Sequence, residues 1–224
     1  MKKVFLAAAL ALFAATDAQT RFGLKAGYSN SVLNSSDEAQ LEGIGMDKKG
    51  KSGFYAGAFG EYQLTEKFAL QGELQYAKLG GNYSGSFAQD GMSFTMDMGF
   101  NIDQIIVPVS AKYYVTPALG LTAGPYAAFT VSNNVTVDAN SPNLTAEENS
   151  MLNSLLAQYE NELTNEFDRS LEKTNFGIHI GAEYTVYRSL FLEARYNIGL
   201  SNLEKDTDTE TKMNFFQVGL GWKF

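Results

Sequence analysis

The sequence predicts an all-β chain, an eight-stranded antiparallel up-and-down transmembrane β-barrel, and three observations carry that prediction. Alternation of polar and apolar residues with a period of two recurs eight times from Arg21 onward. The connections between the alternating segments are short and long by turns. One face of each segment is apolar and carries no charge.

The segments are 21–31, 53–64, 68–79, 105–116, 119–131, 175–187, 190–200 and 214–224. Most approach the ten or so residues that a tilted strand needs to cross a bilayer. Thr65-Glu66-Lys67, Thr116-Pro117-Ala118 and Arg188-Ser189 are tight turns, whereas 32–52, 80–104, 132–174 and 201–213 are long connections. Membrane barrels segregate short turns to the periplasmic side and long loops to the outside. An even strand count then leaves both termini periplasmic.

Composition agrees. The chain has 224 residues, 45% hydrophobic and 19% charged, with 21 glycines, 4 prolines, 12 tyrosines and 16 phenylalanines. Its mean hydropathy of -0.18 is that of a soluble globular protein, yet it does not exclude a barrel whose strands show lipid only at every second residue. There is no cysteine, which excludes disulfides, thiolate metal sites and a lipid-modified N-terminal cysteine. A net charge of -8 without a basic stripe argues against nucleic-acid binding. Residues 1–18 read as a signal peptide: Lys2 and Lys3, an apolar run from Val4 to Ala15, then small residues around Thr16-Asp17-Ala18. Residues 19–224 form the expected barrel domain of the exported protein.

The uncharged face comprises, among others, Leu24, Ala56, Leu70, Leu74, Val109, Ala123, Ile178, Ile180, Leu192 and Leu220. Aromatic residues stand near the ends of its rows: Phe22, Tyr28, Phe54, Tyr62, Phe68, Tyr76, Tyr113, Phe129, Phe176, Tyr184, Phe216 and Trp222. The expected strand charges lie on the complementary face. Two orientations satisfy this pattern, an apolar interior as in soluble barrels or an apolar exterior facing lipid. Aromatic girdles and the export signal select the second. Rings at both ends of nearly every strand would also overfill an eight-stranded interior.

The charges therefore point inward. Lys25, Glu61, Glu73, Lys112, Glu183, Glu193 and Arg195 are expected to form a structural salt-bridge network in place of an open pore. Glu61, Lys112 and Glu193 lie four residues from a short turn and Glu183 five, which predicts similar heights. In the third long connection, Thr145 and Glu148 fit a capping box and an apolar stripe follows from Met151 to Phe167. A helix over about 145–172 is expected, its stripe packed against the barrel mouth or another part of the loop.

Site chemistry is sparse. His179, the single histidine, shares the polar face with Ser110 and Glu183, but no G-x-S-x-G elbow accompanies them. Asp206, Asp208 and Glu210 alternate as calcium ligands would, yet lack the glycine of an EF-hand loop. No catalytic, cofactor or metal site is predicted.

Several segments resemble the small outer-membrane barrel domain of the "porin family", similar in architecture to OmpX and the OmpA transmembrane domain. They include FGLKAGYSNS (22–31), GFYAGAFGEYQLTEKFALQGELQYAKLGG (53–81), IIVPVSAKYYVT (105–116), LTAGPYAAF (121–129), GIHIGAEYTVYRSLFLEARYNIGLSNL (177–203) and FFQVGLGWKF (215–224). Val218, Leu220, Trp222 and Phe224 resemble the terminal signal read by the outer-membrane assembly machinery. The resemblance implies an outer-membrane barrel, in contact with lipid and assembled by that machinery, of a kind whose role is unassigned in most members; the missing nucleophile elbow around His179 leads to the expectation of no enzymatic activity. The expected role is structural, surface-interacting or adhesive. A monomer is expected, with 132–174 and 201–213 available to an extracellular partner; a narrow diffusion pore is the alternative, and a lipid-modifying enzyme a distant one.

Overall fold

The computed structural model describes residues 19–36, 38–43, 45–89, 91–205 and 209–224. The expected signal peptide, 1–18, lies outside them, as do Asp206 and Asp208. In chain order the elements are β1 (Thr20–Ser35), α1 (Glu38–Gly43), β2 (Met46–Lys49), β3 (Lys51–Gln63), β4 (Phe68–Gln89), β5 (Met92–Tyr114) and β6 (Leu119–Asn140). There follow α2 (Ala146–Ser170), β7 (Thr174–Tyr187), β8 (Leu190–Gly199) and β9 (Thr211–Lys223).

All pairings are antiparallel, and β1 pairs with β3 on one side and β9 on the other, which closes the ring. β2 and β3 both run along β4, interrupted at Gly50, so the ring has eight staves. Closure extends to the last residue, where the Phe224 N–H donates to the Phe22 carbonyl at 2.8 Å. Two tight turns use the same device. The Thr65 hydroxyl accepts from the backbone of Lys67 and Phe68, and the Thr116 hydroxyl from that of Ala118 and Leu119. Pro108, lacking an N–H, falls where β4–β5 pairing is interrupted between Gly72↔Val109 and Gln75↔Ile106.

The outer wall carries the apolar set, with Leu74 and Ile180 both close to 60% exposed, at 58% and 59%. Aromatic neighbours meet at a tilt across strands there: the ring centroids of Phe68 and Tyr113 lie 5.0 Å apart, those of Phe54 and Tyr76 6.1 Å. One strand charge departs from the expected partition. Lys78 faces outward, opposite Asp103 in the register, with its ammonium 5.8 Å from the Phe54 ring. Tyr76 donates to Asp103 at 2.6 Å. These polar groups sit at the level where the outward aromatics end, so they reach interfacial water rather than hydrocarbon.

The largest correction concerns length. β4, β5 and β6 run to 22, 23 and 22 residues, about twice what a bilayer requires. The segment 80–104 is therefore no loop but the continuation of the β4–β5 hairpin, joined at Gly91. Gly80-Gly81 and the polar run after them read as a connection, yet the backbone keeps its pairing through them. In β6 a register shift opposite Asp103 and Gln104 inserts Val131 and reverses which parity faces in. Period-2 alternation breaks there, which is why the expected strand stopped at 131.

The three extended strands form a head above the barrel. Its inner face carries Tyr83, Met98, Phe100, Ile102, Val135 and Val137, while Asn82, Ser86, Asp97, Asn134, Thr136 and Asp138 occupy the other. β6 has no strand partner beyond Phe129 on its β7 side, and α2 covers that edge. The Val135, Val137, Ala139 and Ser141 N–H groups donate to side chains of Thr164, Glu160, Asn153 and Asn149, all at 2.8–2.9 Å. The acceptors run from Asn149 to Thr164, about 22 Å of helix rise, and the donors from Val135 to Ser141, about 20 Å of strand, so one helix face can cap one strand edge. The Thr145–Glu148 capping box is present. The expected apolar docking is only partial: Phe167 packs against the core, whereas Met151, Leu155 and Tyr159 are exposed. Polar edge-capping holds the helix instead.

Candidate functional site

Alternation aims one residue in two at the lumen, and there the seven expected charged residues meet in two clusters. In the upper one, the Lys25 ammonium lies 2.7 Å from Glu73 and 2.9 Å from Glu193. Arg195 grips Glu73 with two parallel hydrogen bonds of 2.6 and 3.0 Å. Tyr55 donates to the other Glu193 oxygen at 2.6 Å, and Gln71 and Gln75 each donate to Glu73.

In the lower cluster, the Lys112 ammonium donates to Glu61 at 2.7 Å and to Glu183 at 2.8 Å. Lys223 pairs with the second Glu183 oxygen, and Tyr114 donates to Glu61 at 2.5 Å. Lys112 also donates to Gln71 at 3.2 Å, which joins the two clusters. Four cations thus balance four carboxylates, all eight buried. Such an assembly satisfies buried charges without a large gain in stability, but removal of one member strands its partners.

Three of the four residues expected at one height, Glu61, Lys112 and Glu183, do meet in the lower cluster, whereas Glu193 joins the upper one. Glu183 and Glu193 are direct cross-strand partners, yet Glu183 joins the lower cluster and Glu193 the upper. Strand tilt and stagger displace residues that the chain alone would align. Divergence toward different cations also relieves the like-charge pair.

Tyr55, Tyr114 and Lys223 extend the network beyond the residues expected for it. Tyr55 and Tyr114 belong to aromatic doublets with Phe54 and Tyr113, in which alternation sends one ring to lipid and the other to the lumen. Phe59 and Phe191 cross the lumen in an edge-to-face pair with centroids 5.6 Å apart. Glycine on the closing strand admits these rings: a Cβ at Gly221 would stand 2.1 Å from Phe191, and one at Gly219 2.3 Å from the Tyr55 oxygen.

Ser110 and His179 do meet, with Oγ and Nε2 2.8 Å apart. Glu183 is engaged by Lys112 and Lys223, and His179 Nδ1 has no hydrogen-bond partner, so the three do not form a relay. Among the described residues no group of acidic or histidine side chains is arranged to hold a metal ion. Glu210 pairs with Lys212 at 2.7 Å.

Above the charges lies a different environment. Tyr126 and Phe215 meet edge to face at 5.8 Å, and with Ile106, Leu79 and Ile102 they form an apolar floor. Over it opens a cavity of about 460 Å³ between the head sheet, the end of α2, Leu203-Glu204 and the start of β9. Met46, Met96, Met98, Phe100 and Phe167 line it, together with Ser35, Ser170, Glu204 and Thr211. Phe100 and Phe167 meet at a tilt with centroids 5.1 Å apart, and the Leu171–Glu204 bridge ties the helix end to the last connection. Sequence reasoning missed this site because its sheet walls lie in segments read as loops.

A closed barrel with a lipid-type exterior and a charged lumen defines a class of integral outer-membrane proteins. Residues 16–205 match the family model described as outer membrane protein beta-barrel domain; the chain belongs to that family, and its location is the bacterial outer membrane. No curated protein matches it. Its fold is similar to that of Ail, the attachment invasion locus protein of Yersinia pestis, at 12% identity and TM-score 0.44, over 92% of this chain and 99% of that one. Neisserial surface protein A is similar at 13% identity and TM-score 0.49, over 91% and 97%. OprG from Pseudomonas aeruginosa is similar at 13% identity and TM-score 0.40, over 92% and 96%.

Proposed function

We propose that this protein is a non-enzymatic, monomeric outer-membrane barrel that does not conduct and acts through its extracellular head as a surface-interaction protein. The observation that carries this reading is the balanced charge network across the lumen, contributed by β1, β3, β4, β5, β7, β8 and β9 and buried throughout. An eight-stranded lumen is just wide enough to be filled by side chains. Strand material that exceeds the bilayer is invested in the head, where α2 and the connections 132–174 and 201–213 offer surface to a partner. Val218, Leu220, Trp222 and Phe224, which face outward on the closing strand, serve as the assembly signal in this reading.

Planar-bilayer recording tests it. The purified protein should give no stable conductance steps; steps that change with Glu73→Gln or Lys112→Met would replace this reading with a pore. Deletion of 140–172 should abolish surface binding while heat-modifiable gel migration persists.

A further inference from the structure

We infer that the head cavity is a binding site for a small cationic amphiphile, an apolar body carrying one ammonium group. This inference rests on the reading that the head, rather than the lumen, is the functional part. A volume of about 460 Å³ lies within the range of small-molecule sites. Its walls combine three methionine thioethers with aromatic rings, a surface that adapts to an apolar body of irregular shape. The Phe100 and Phe167 rings also attract a cation by their faces.

Among the described residues that line the cavity, few are polar and the charged one is Glu204. Its carboxylate accepts from the Thr211 hydroxyl at 2.6 Å, and its backbone N–H donates to the Asn202 side chain at 3.2 Å. These are among the contacts that hold the group in place, and a ligand ammonium would join them as a further donor to the carboxylate. The surrounding charge has the same sign. Segments 32–52, 80–104, 132–174 and 201–213 together hold 19 acidic and 7 basic residues, more negative than the whole chain. Such a field raises the local concentration of cations and disfavours anions.

The test uses the mature protein in nanodiscs of zwitterionic lipid, with methionine methyl groups carrying carbon-13. The probes are 4-phenylbutylammonium, 4-phenylbutanol and 4-phenylbutyrate. Saturable shifts at Met46, Met96 and Met98, with Met92 and Met151 unmoved, are expected for the ammonium compound. The alcohol should bind more weakly and the carboxylate weakest. Glu204→Gln should weaken the ammonium compound about fivefold and leave the alcohol unchanged. Met98→Trp, which fills the cavity, should remove the saturable shifts at Met46 and Met96. Unsaturable shifts at every methyl, no shift, equal binding of the three probes, or saturable binding that survives Met98→Trp would each overturn the inference. If Met98→Trp fails to give the heat-modifiable folded form, the Glu204→Gln comparison decides. Conductance plays no part in these readouts, so the site and the closed-lumen reading fail separately.

Discussion

Below the level of Lys78 and Asp103, β4 and β5 turn Gln71, Glu73, Ser110 and Lys112 inward and Leu70, Leu74, Val109 and Tyr113 outward. Above that level the same strands turn Leu79, Tyr83, Phe100 and Ile102 inward and Asn82, Ser86, Asp97 and Asn101 to the other face. The backbone continues through the change with its side-chain parity intact; only the residue types exchange addresses. The cause is the outer medium. Hydrocarbon outside demands apolar side chains there and leaves the lumen to polar ones, whereas water outside restores the ordinary apolar interior. The inversion thus marks the membrane boundary more sharply than either face alone.

The comparison breaks first at Glu73. Replacement by Ala leaves Lys25 and Arg195 without their shared carboxylate and should cost about 3–5 kcal/mol, read from urea unfolding of the barrel in lipid. A wild-type midpoint would show that the network is dispensable.

The next effect separates the two levels directly. Leu74→Arg, on the lipid wall, should cost about 2–4 kcal/mol. Ser86→Arg has the same parity on the same strand but sits in the head, and should change stability by less than about 0.5 kcal/mol. Equal costs would place the boundary elsewhere.

A smaller effect concerns the capped edge. Asn153→Ala and Glu160→Ala each remove an acceptor, from Ala139 N–H and Val137 N–H respectively. Each should cost about 0.5–1.5 kcal/mol and speed hydrogen exchange at its own amide, with the lower barrel unaffected. Unchanged exchange would show that α2 does not cap β6.

The smallest effect is one of pH. The Lys173 ammonium and the Asn133 amide hold the Asp168 carboxyl below its ordinary range, and the Thr145 backbone N–H and hydroxyl do the same for Glu148. A carboxyl with a lowered folded-state value contributes stability above its ordinary value and loses it as pH falls through the lowered one. Acidification below about pH 4 should therefore loosen both ends of α2 before the barrel, seen as earlier proteolysis of 146–170 by an acid protease. Loss of the barrel first would contradict this order.

Much of this was legible because lipid imposes a simple code. Period two, the outward apolar rows and the short turns follow from residue order, and the structure places the strands accordingly. The capping box marked the start of α2 because its hydrogen bonds are local. Illegible features had nonlocal causes. Val131 breaks the alternation at a bulge, Gly80-Gly81 imitates a turn, and the polar outer face of the head resembles loop composition. Residue order also put Glu193 level with Glu183, because the stagger of a closed barrel is a property of the ring.

By itself, then, the amino-acid sequence determined an eight-stranded outer-membrane barrel with its charges turned inward, since each strand must meet hydrocarbon on one side. Only the tertiary structure decided which charges pair, where β4–β6 end, and that α2 caps an edge and helps enclose a cavity. Those outcomes depend on strand stagger and on contacts between distant segments, which no local pattern encodes.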